Sequence, residues 1–122
     1  MKKLITSALF AFTLFTVNAA SLTGDITAKA TSFARQMVNE VQLNESEYIQ
    51  VRRFTIEKLE RETEIRSMYS NDQEMMVAKL TEADNNYNHK LQEVLNPKQF
   101  ESYVAFSSTH KMDMPVVAGN QE

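Results

Sequence analysis

A six-residue segment near the C-terminus, LNPKQF, constrains the fold of this chain more strongly than any other feature. Asn96 is a preferred N-cap, because its side-chain oxygen can accept a hydrogen bond from a free backbone N–H. Pro97 suits the first helical position, where no N–H is needed and φ is already fixed. The Gln99 side chain can accept a hydrogen bond from the backbone N–H of Asn96, which completes a capping box. Leu95 can pack on Phe100 as a hydrophobic staple. The segment therefore predicts the start of a helix.

The same pattern occurs earlier in the chain, in the segment LNESEY. Here Asn44 is the cap and Glu47 its partner, while Leu43 and Tyr48 occupy the staple positions. A third start, NDQE from Asn71, has the cap and the box partner but no staple. The two complete copies predict two capped helices, each preceded by an apolar helical stretch.

The two copies, LNESE and LNPKQ, resemble the paired LTxxQ motif of the Spy/CpxP family of periplasmic helical proteins. Asn replaces Thr in both copies and Glu replaces Gln in the first, and both changes keep the capping chemistry. The resemblance extends from about Ala28 to Thr109. It implies an ATP-independent chaperone that shields unfolded or stressed envelope proteins on an amphiphilic concave face. The alternatives are an adaptor of the envelope stress response, which binds and represses a sensor kinase, and a periplasmic metal-binding protein.

The N-terminal segment has the features of a cleavable signal peptide. Two lysines precede the apolar run Leu4–Val17, which is short for a helix that crosses a membrane. The tripeptide VNA ends at Ala19 and places small residues where a signal peptidase cleaves. We therefore expect residues 1–19 to be removed and a mature protein that begins at Ala20 in the periplasm.

Charge and composition argue against several classes of function. The formal net charge is −3, and loss of the two signal-peptide lysines makes the chain more acidic. Nucleic-acid binding needs a basic face that neutralises phosphates, so we expect no nucleic-acid partner. The sequence has no Cys for thiol chemistry and only two glycines, too few for a phosphate-binding loop. We therefore expect neither enzymatic activity nor a cofactor.

Apolar residues recur with helical spacing along the mature chain, which predicts an all-α fold of about four helices in a thin, extended hairpin or bundle. The leader Ala20–Gly24 precedes the first helix, which Thr23 or Asp25 would cap. The expected helices are about Asp25–Val41, Glu45–Tyr69 and Asp72–Leu95, with a fourth from Pro97. The domain would span residues 20–109, followed by a flexible tail at 110–122.

Each helix has an apolar side that we expect to be buried. These residues are Ile26, Ala30, Phe33, Met37 and Val41 in the first helix; Tyr48, Ile49, Ile56, Leu59, Met68 and Tyr69 in the second; Met76, Leu80, Ala83, Tyr87, Leu91 and Val94 in the third; and Phe100, Tyr103, Val104 and Phe106 in the fourth. The third stripe has the spacing of a packed helical seam. Four helices of this size leave apolar surface uncovered, so we expect a homodimer.

The second helix is highly charged over residues 57–64, where we expect a solvated face. The alternative is the charged part of a binding surface. The expected ion pairs with i,i+4 spacing are Glu57 with Arg61 and Glu62 with Arg66. Arginines mixed with apolar residues, and adaptable methionines, suit promiscuous binding. The candidate client-binding residues are Arg52, Arg53, Phe54, Ile56, Met68 and Met75.

The histidines give little support for a metal site. His89 is expected beside the packed stripe or in solvent. His110, Met112 and Met114 could offer one imidazole and two thioethers, which are soft enough for Cu(I). The spacing lacks a His or Cys cluster of the kind that holds zinc, so we expect no metal.

Overall fold

The structure is a computed structural model that describes residues 19–110, with side chains from Thr23 onwards. Residues 1–18 of the predicted signal peptide (1–19) and residues 111–122 of the predicted tail (110–122) lie outside the described residues. The described part contains four α-helices and a π-helical segment but no strand, so the predicted all-α fold is confirmed. The elements are α1 (Ala19–Met37), the π-helical segment (Val38–Gln42), α2 (Glu45–Met68), α3 (Gln73–Val94) and α4 (Pro97–Thr109).

The first helix begins earlier than the sequence indicated. α1 starts at Ala19, so the prediction of a non-helical leader over Ala20–Gly24 is wrong. Thr23 and Asp25 lie inside the helix, where Asp25 forms an ion pair with Lys29 at 3.6 Å. A single glycine costs a helix about 1 kcal/mol, which is too little to end it.

The central helix α2 packs against α1 on one side and α3 on the other. α4 folds back from the end of α3 and packs on the π-helical segment. The main core lies where these elements meet, and the ring centres of Phe33 and Phe106 lie 5.5 Å apart there. Its buried residues are Phe33, Ala34, Met37, Val41, Leu43, Val51, Tyr87, Leu91, Leu95, Tyr103 and Phe106.

Two smaller clusters continue the packing along α2. One joins α1 to α2 and the other joins α2 to α3. The first consists of Ile26, Ala30 and Leu59, and the second of Ile65, Met76 and Ala83. The hairpin of α2 and α3 therefore has its own apolar contacts as far as the turn that connects the two helices.

The stripes predicted for α1 and α3 are confirmed. All five residues of the first stripe are buried, four of them in α1 and Val41 in the π-helical segment. Four of the six residues in α3 are buried too, with Leu80 and Val94 half-buried. In α4, Tyr103 and Phe106 are buried and Phe100 is half-buried, but Val104 is exposed.

The stripe predicted for α2 is wrong in part. Ile49 and Met68 are exposed, although Leu59 is buried as expected. The buried side of α2 includes two polar residues, Thr55 and Glu62, which an apolar pattern cannot detect. The Thr55 hydroxyl lies 2.7 Å from the Val51 carbonyl oxygen and 2.9 Å from the Tyr87 hydroxyl, so its burial is compensated.

Charge pairing on α2 also differs from the prediction. The pairs Glu57–Arg61 and Glu62–Arg66 do not form, and residues 57–64 are not uniformly solvated. The ion pairs are Glu57–Lys90 at 2.9 Å, Arg61–Glu64 at 2.9 Å, Lys58–Glu62 at 3.6 Å and Lys58–Asp84 at 3.1 Å. The reason is that α3 packs against this part of α2 and brings Asp84 and Lys90 within reach.

Candidate functional site: the α2–α3 face

Both complete capping boxes form as predicted. Oδ1 of Asn44 accepts a bond from the Glu47 backbone N–H at 2.8 Å, and Glu47 Oε1 accepts from the Asn44 N–H at 2.9 Å. The equivalent bonds between Asn96 and Gln99 measure 2.7 and 3.0 Å. Leu43 and Leu95 are buried in the main core, and Tyr48 and Phe100 pack against it. These motif residues therefore form local structure at two helix starts.

The third predicted box is wrong. The N-cap of α3 is Asp72 and not Asn71, because Asn71 belongs to the turn that the Asp72 N–H closes onto the Tyr69 carbonyl at 3.0 Å. Asp72 accepts a bond from the Met75 backbone N–H at 3.1 Å. Met75 has no side-chain oxygen, so no reciprocal bond can form.

The two boxes meet in space. Nε2 of Gln99 donates to Oε1 of Glu47 at 3.1 Å and to the Gln42 carbonyl at 3.2 Å. Gln42 has a φ of 61°, a left-handed conformation in which the chain leaves the π-helical segment. The motifs thus hold the start of α4 against the start of α2, at one end of the molecule.

An open groove runs between α2 and α3. The groove has a volume of about 270 Å³ and is lined by Phe54, Glu57, Lys58, Arg61, Lys79, Glu82, Ala83, Asn86, Tyr87 and Lys90. Four of these residues are basic and two are acidic, on a chain whose net charge is negative. The volume lies just below the range of typical small-molecule pockets, so the groove has the size of one or two side chains.

Aromatic rings and ammonium groups lie together in this groove. Lys58 Nζ lies 4.8 Å from the centre of the Tyr87 ring, and Lys90 Nζ lies 5.6 Å from that of Phe54. Lys90 also pairs with Glu57, but exposed ion pairs contribute little free energy. Its ammonium group can therefore exchange Glu57 for another carboxylate at small cost.

The apolar part of this surface lies near the α2–α3 turn. Met68 follows Arg61 by seven residues on α2, and Met75 precedes Lys79 by four on α3. Both spacings place the methionine on the same helix side as the groove residue. Met68 is 61% exposed and Met75 41% exposed. We define the α2–α3 face as the groove residues together with Met68 and Met75.

The six predicted client-binding residues fall on two sides of α2. Phe54, Met68 and Met75 belong to the α2–α3 face, and the Arg53 guanidinium lies beside it, 5.3 Å from the Phe54 ring centre.

The other two, Arg52 and Ile56, lie on the side toward α1. Arg52 donates from Nε to Thr31 Oγ1 at 2.8 Å, and Ile56 packs against the cluster shared by α1 and α2. These six residues therefore do not form one patch. The prediction from sequence did not include most basic residues of the groove. A signal was present, because Lys79, Glu82, Asn86 and Lys90 recur at helical spacing on one side of α3.

Burial changes the acid–base behaviour of three groups next to the groove. Burial raises the pKa of Glu62, and the nearby Lys58 and Arg66 oppose that rise. Burial also raises the pKa of Tyr87, and it raises that of Tyr103 to about 12, with a smaller contribution from Asp84. Both tyrosines therefore remain neutral hydrogen-bonding groups near pH 7.

Residues 19–110 contain neither a cluster of metal ligands nor a helix that could span a membrane. No group of three or more His, Asp or Glu side chains in this part is placed to hold a metal ion. His89 is exposed, and His110 stacks on Phe106 with ring centres 4.6 Å apart. Met112 and Met114, the other members of the copper hypothesis, lie outside the described residues. None of the described helices combines the length and apolar character needed to cross a membrane.

Comparisons with known proteins do not extend this description. No protein-family model, curated protein or solved structure matches the chain. The resemblance of the two motifs to the Spy/CpxP family therefore stays a prediction from the sequence.

Proposed function

We propose that this protein is a periplasmic, ATP-independent chaperone-like protein that binds unfolded segments of envelope proteins on the α2–α3 face. The observation that carries the proposal is the exposure of Met68 and Met75 in line with a groove of basic and aromatic side chains. Apolar contact with such residues does not require a particular client sequence. A flexible apolar surface is the type that promiscuous binders use.

Charge in the groove adds a preference among clients. The preference arises by exchange of partners: Arg61, Lys79 and Lys90 form exposed ion pairs with Glu64, Glu82 and Glu57, and a client carboxylate can replace these partners at small cost. An unfolded segment with apolar side chains next to acidic ones can place the apolar groups on the methionines and the carboxylates in the groove. Such a segment would place its apolar side chains near the α2–α3 turn and its carboxylates farther along the hairpin.

A binding measurement with matched variants tests the location of the site. The probe is reduced, carboxymethylated α-lactalbumin, a protein that stays unfolded, labelled for fluorescence anisotropy. Met68→Glu with Met75→Glu should weaken binding at least about tenfold, because it replaces apolar contact by carboxylates. Val104→Glu is the control, since Val104 is an exposed apolar residue on α4, outside the face.

Equal loss of binding in both variants would contradict the location of the site. Tight binding of one folded sensor domain, without binding of unfolded probes, would favour the adaptor of the envelope stress response instead. The predicted homodimer and the predicted export are parts of the proposal that gel filtration with light scattering and cell fractionation can test.

A further inference from the structure

Two adjacent methionines at the start of α3 have opposite environments. Met75 is 41% exposed on the α2–α3 face, whereas Met76 is 5% exposed in the cluster between α2 and α3. On the other side of the turn, Met68 is 61% exposed, and Met37 is fully buried in the main core. The methionines of the described residues thus fall into an exposed pair and a buried pair.

An exposed thioether is open to two-electron oxidants. Hydrogen peroxide transfers one oxygen atom to the sulfur: an S–O bond forms, the O–O bond breaks, and the peroxide is reduced to water. The sulfur is oxidised by two electrons to a sulfoxide. The product is polar and chiral, so it no longer offers the adaptable apolar contact of methionine.

We propose that Met68 and Met75 are the oxidation sites through which peroxide-class oxidants weaken client binding on the α2–α3 face. The effect on binding rests on the proposed function, whereas the choice of oxidation sites rests on the structure alone. The two sulfurs belong to the apolar part of the face, so their oxidation removes the feature that carries the proposed binding.

The fold is not expected to change on oxidation of this pair. Neither Met68 nor Met75 belongs to any of the three buried clusters. Met37 and Met76 do belong to such clusters, and a sulfoxide at either position would place a polar group in the core. Selective oxidation of the exposed pair therefore changes the surface and leaves the core intact. Sulfoxides are reduced back by thiol-dependent reductases, so the change is reversible.

Peptide mapping after limited peroxide treatment tests the choice of sites. The exported protein is prepared with Met112→Leu and Met114→Leu, so that tail methionines do not contribute. Mass spectrometry should find sulfoxide at Met68 and Met75 at peroxide levels that leave Met37 and Met76 unmodified. Oxidation of Met76 as fast as Met75 would overturn the assignment.

The same samples test the effect on binding. Affinity for labelled, reduced and carboxymethylated α-lactalbumin should fall roughly tenfold on oxidation, with an unchanged melting temperature. Met68→Leu with Met75→Leu should bind the probe and lose the sensitivity to peroxide. Undiminished binding after oxidation would overturn the proposed effect of oxidation on client binding. So would a double Leu variant whose binding is still lowered by peroxide. If the untreated protein does not bind the probe, the proposed function and the effect fail together, while the peptide map still decides the sites.

Discussion

Nε2 of Gln99 donates a hydrogen bond to Oε1 of Glu47 at 3.1 Å, which joins two capping boxes that lie 52 residues apart in the sequence. The same Glu47 oxygen accepts the backbone N–H of Asn44, and the same Gln99 amide reaches the Gln42 carbonyl. Each motif therefore satisfies donors of its own helix and also binds the other motif. This explains how a pattern that is local in sequence fixes the position of α4 on the rest of the fold.

The link between the boxes should be measurable as a coupling free energy. Glu47→Ala should cost ~1–2 kcal/mol of stability, because it removes one side of a box and the link. Glu47→Gln should cost less, since the Gln carbonyl oxygen can accept both bonds. A double-mutant cycle with Gln99→Ala in urea unfolding should give a coupling of about 0.5 kcal/mol or more.

The control for this cycle is Glu101→Ala, at an exposed position on α4. It should show no coupling to Glu47. Additive effects of Glu47→Ala and Gln99→Ala would mean that the contact does not hold the two motifs together.

The cap and staple residues should each contribute to the stability of the folded protein by an amount that is usual for such positions. Asn96→Ala should destabilise the protein by ~1 kcal/mol, because one backbone donor loses its acceptor. Leu95→Ala should cost ~2 kcal/mol or more, since Leu95 is buried in the main core. Thermal melts decide this. An unchanged melting temperature in both variants, together with lost client binding, would show that the motif acts on ligands and not on folding.

Gln42 offers a stabilising substitution. Its φ of 61° costs a residue with a side chain ~1–2 kcal/mol, and glycine adopts it without strain. Gln42→Gly should therefore stabilise the protein by about 0.5–1 kcal/mol, after the larger entropy loss of glycine is subtracted. The backbone carbonyl at position 42, which accepts a bond from Gln99, is unchanged by the substitution. Gln36→Gly in α1 is the control and should destabilise by ~1 kcal/mol. A loss of stability in Gln42→Gly would mean that its side chain matters more than its backbone.

Glu62 should make stability depend on pH in an unusual direction for a carboxylate. Its pKa in the folded state is raised above the ordinary value of 4.5, so the folded protein binds the proton more tightly than the unfolded chain. The stabilising contribution of protonation is complete below pH 4.5 and is lost as the pH rises through the raised pKa. Burial leaves Glu62 only 9% exposed, and the loss of solvent disfavours its charged form relative to the unfolded chain.

Glu62→Gln tests this sign. The variant should be more stable than the wild-type protein at pH 7, and the difference should shrink as the pH falls toward 4.5. Lys58 keeps Asp84 as a partner in the variant, at 3.1 Å. A Glu62→Gln protein that is less stable than wild type at pH 7 would show that the charged form is favoured.

The sequence predicts those parts of the fold that depend on local chemistry. The caps at Asn44 and Asn96 follow from side chains that bond their own helix starts, and the α1 and α3 stripes follow from apolar spacing alone. The buried side of α2 could not be predicted in this way. Thr55 and Glu62 are polar, and their burial depends on Tyr87 and on Lys58, whose proximity only the packed fold establishes.

The candidate site shows the same division. The prediction found Phe54, Met68 and Met75, because aromatic and methionine side chains stand out in a charged helix. It missed the basic residues that α3 contributes, since they line the groove only when α3 packs antiparallel to α2. Arg52 was included as a basic residue among apolar ones, but its side chain donates a hydrogen bond to Thr31 on the side of α2 that faces α1.

Aggregation suppression without nucleotide tests the central claim most directly. The protein is mixed with several unrelated unfolding clients, and their light scattering is followed at 0.1 M and 1 M salt. The account predicts that aggregation falls, that the effect weakens but persists at high salt as the Debye length drops from ~10 to ~3 Å, and that Arg53→Glu impairs acidic clients more than basic ones. Failure to suppress the aggregation of any client, with tight binding of a single folded sensor domain, would contradict it.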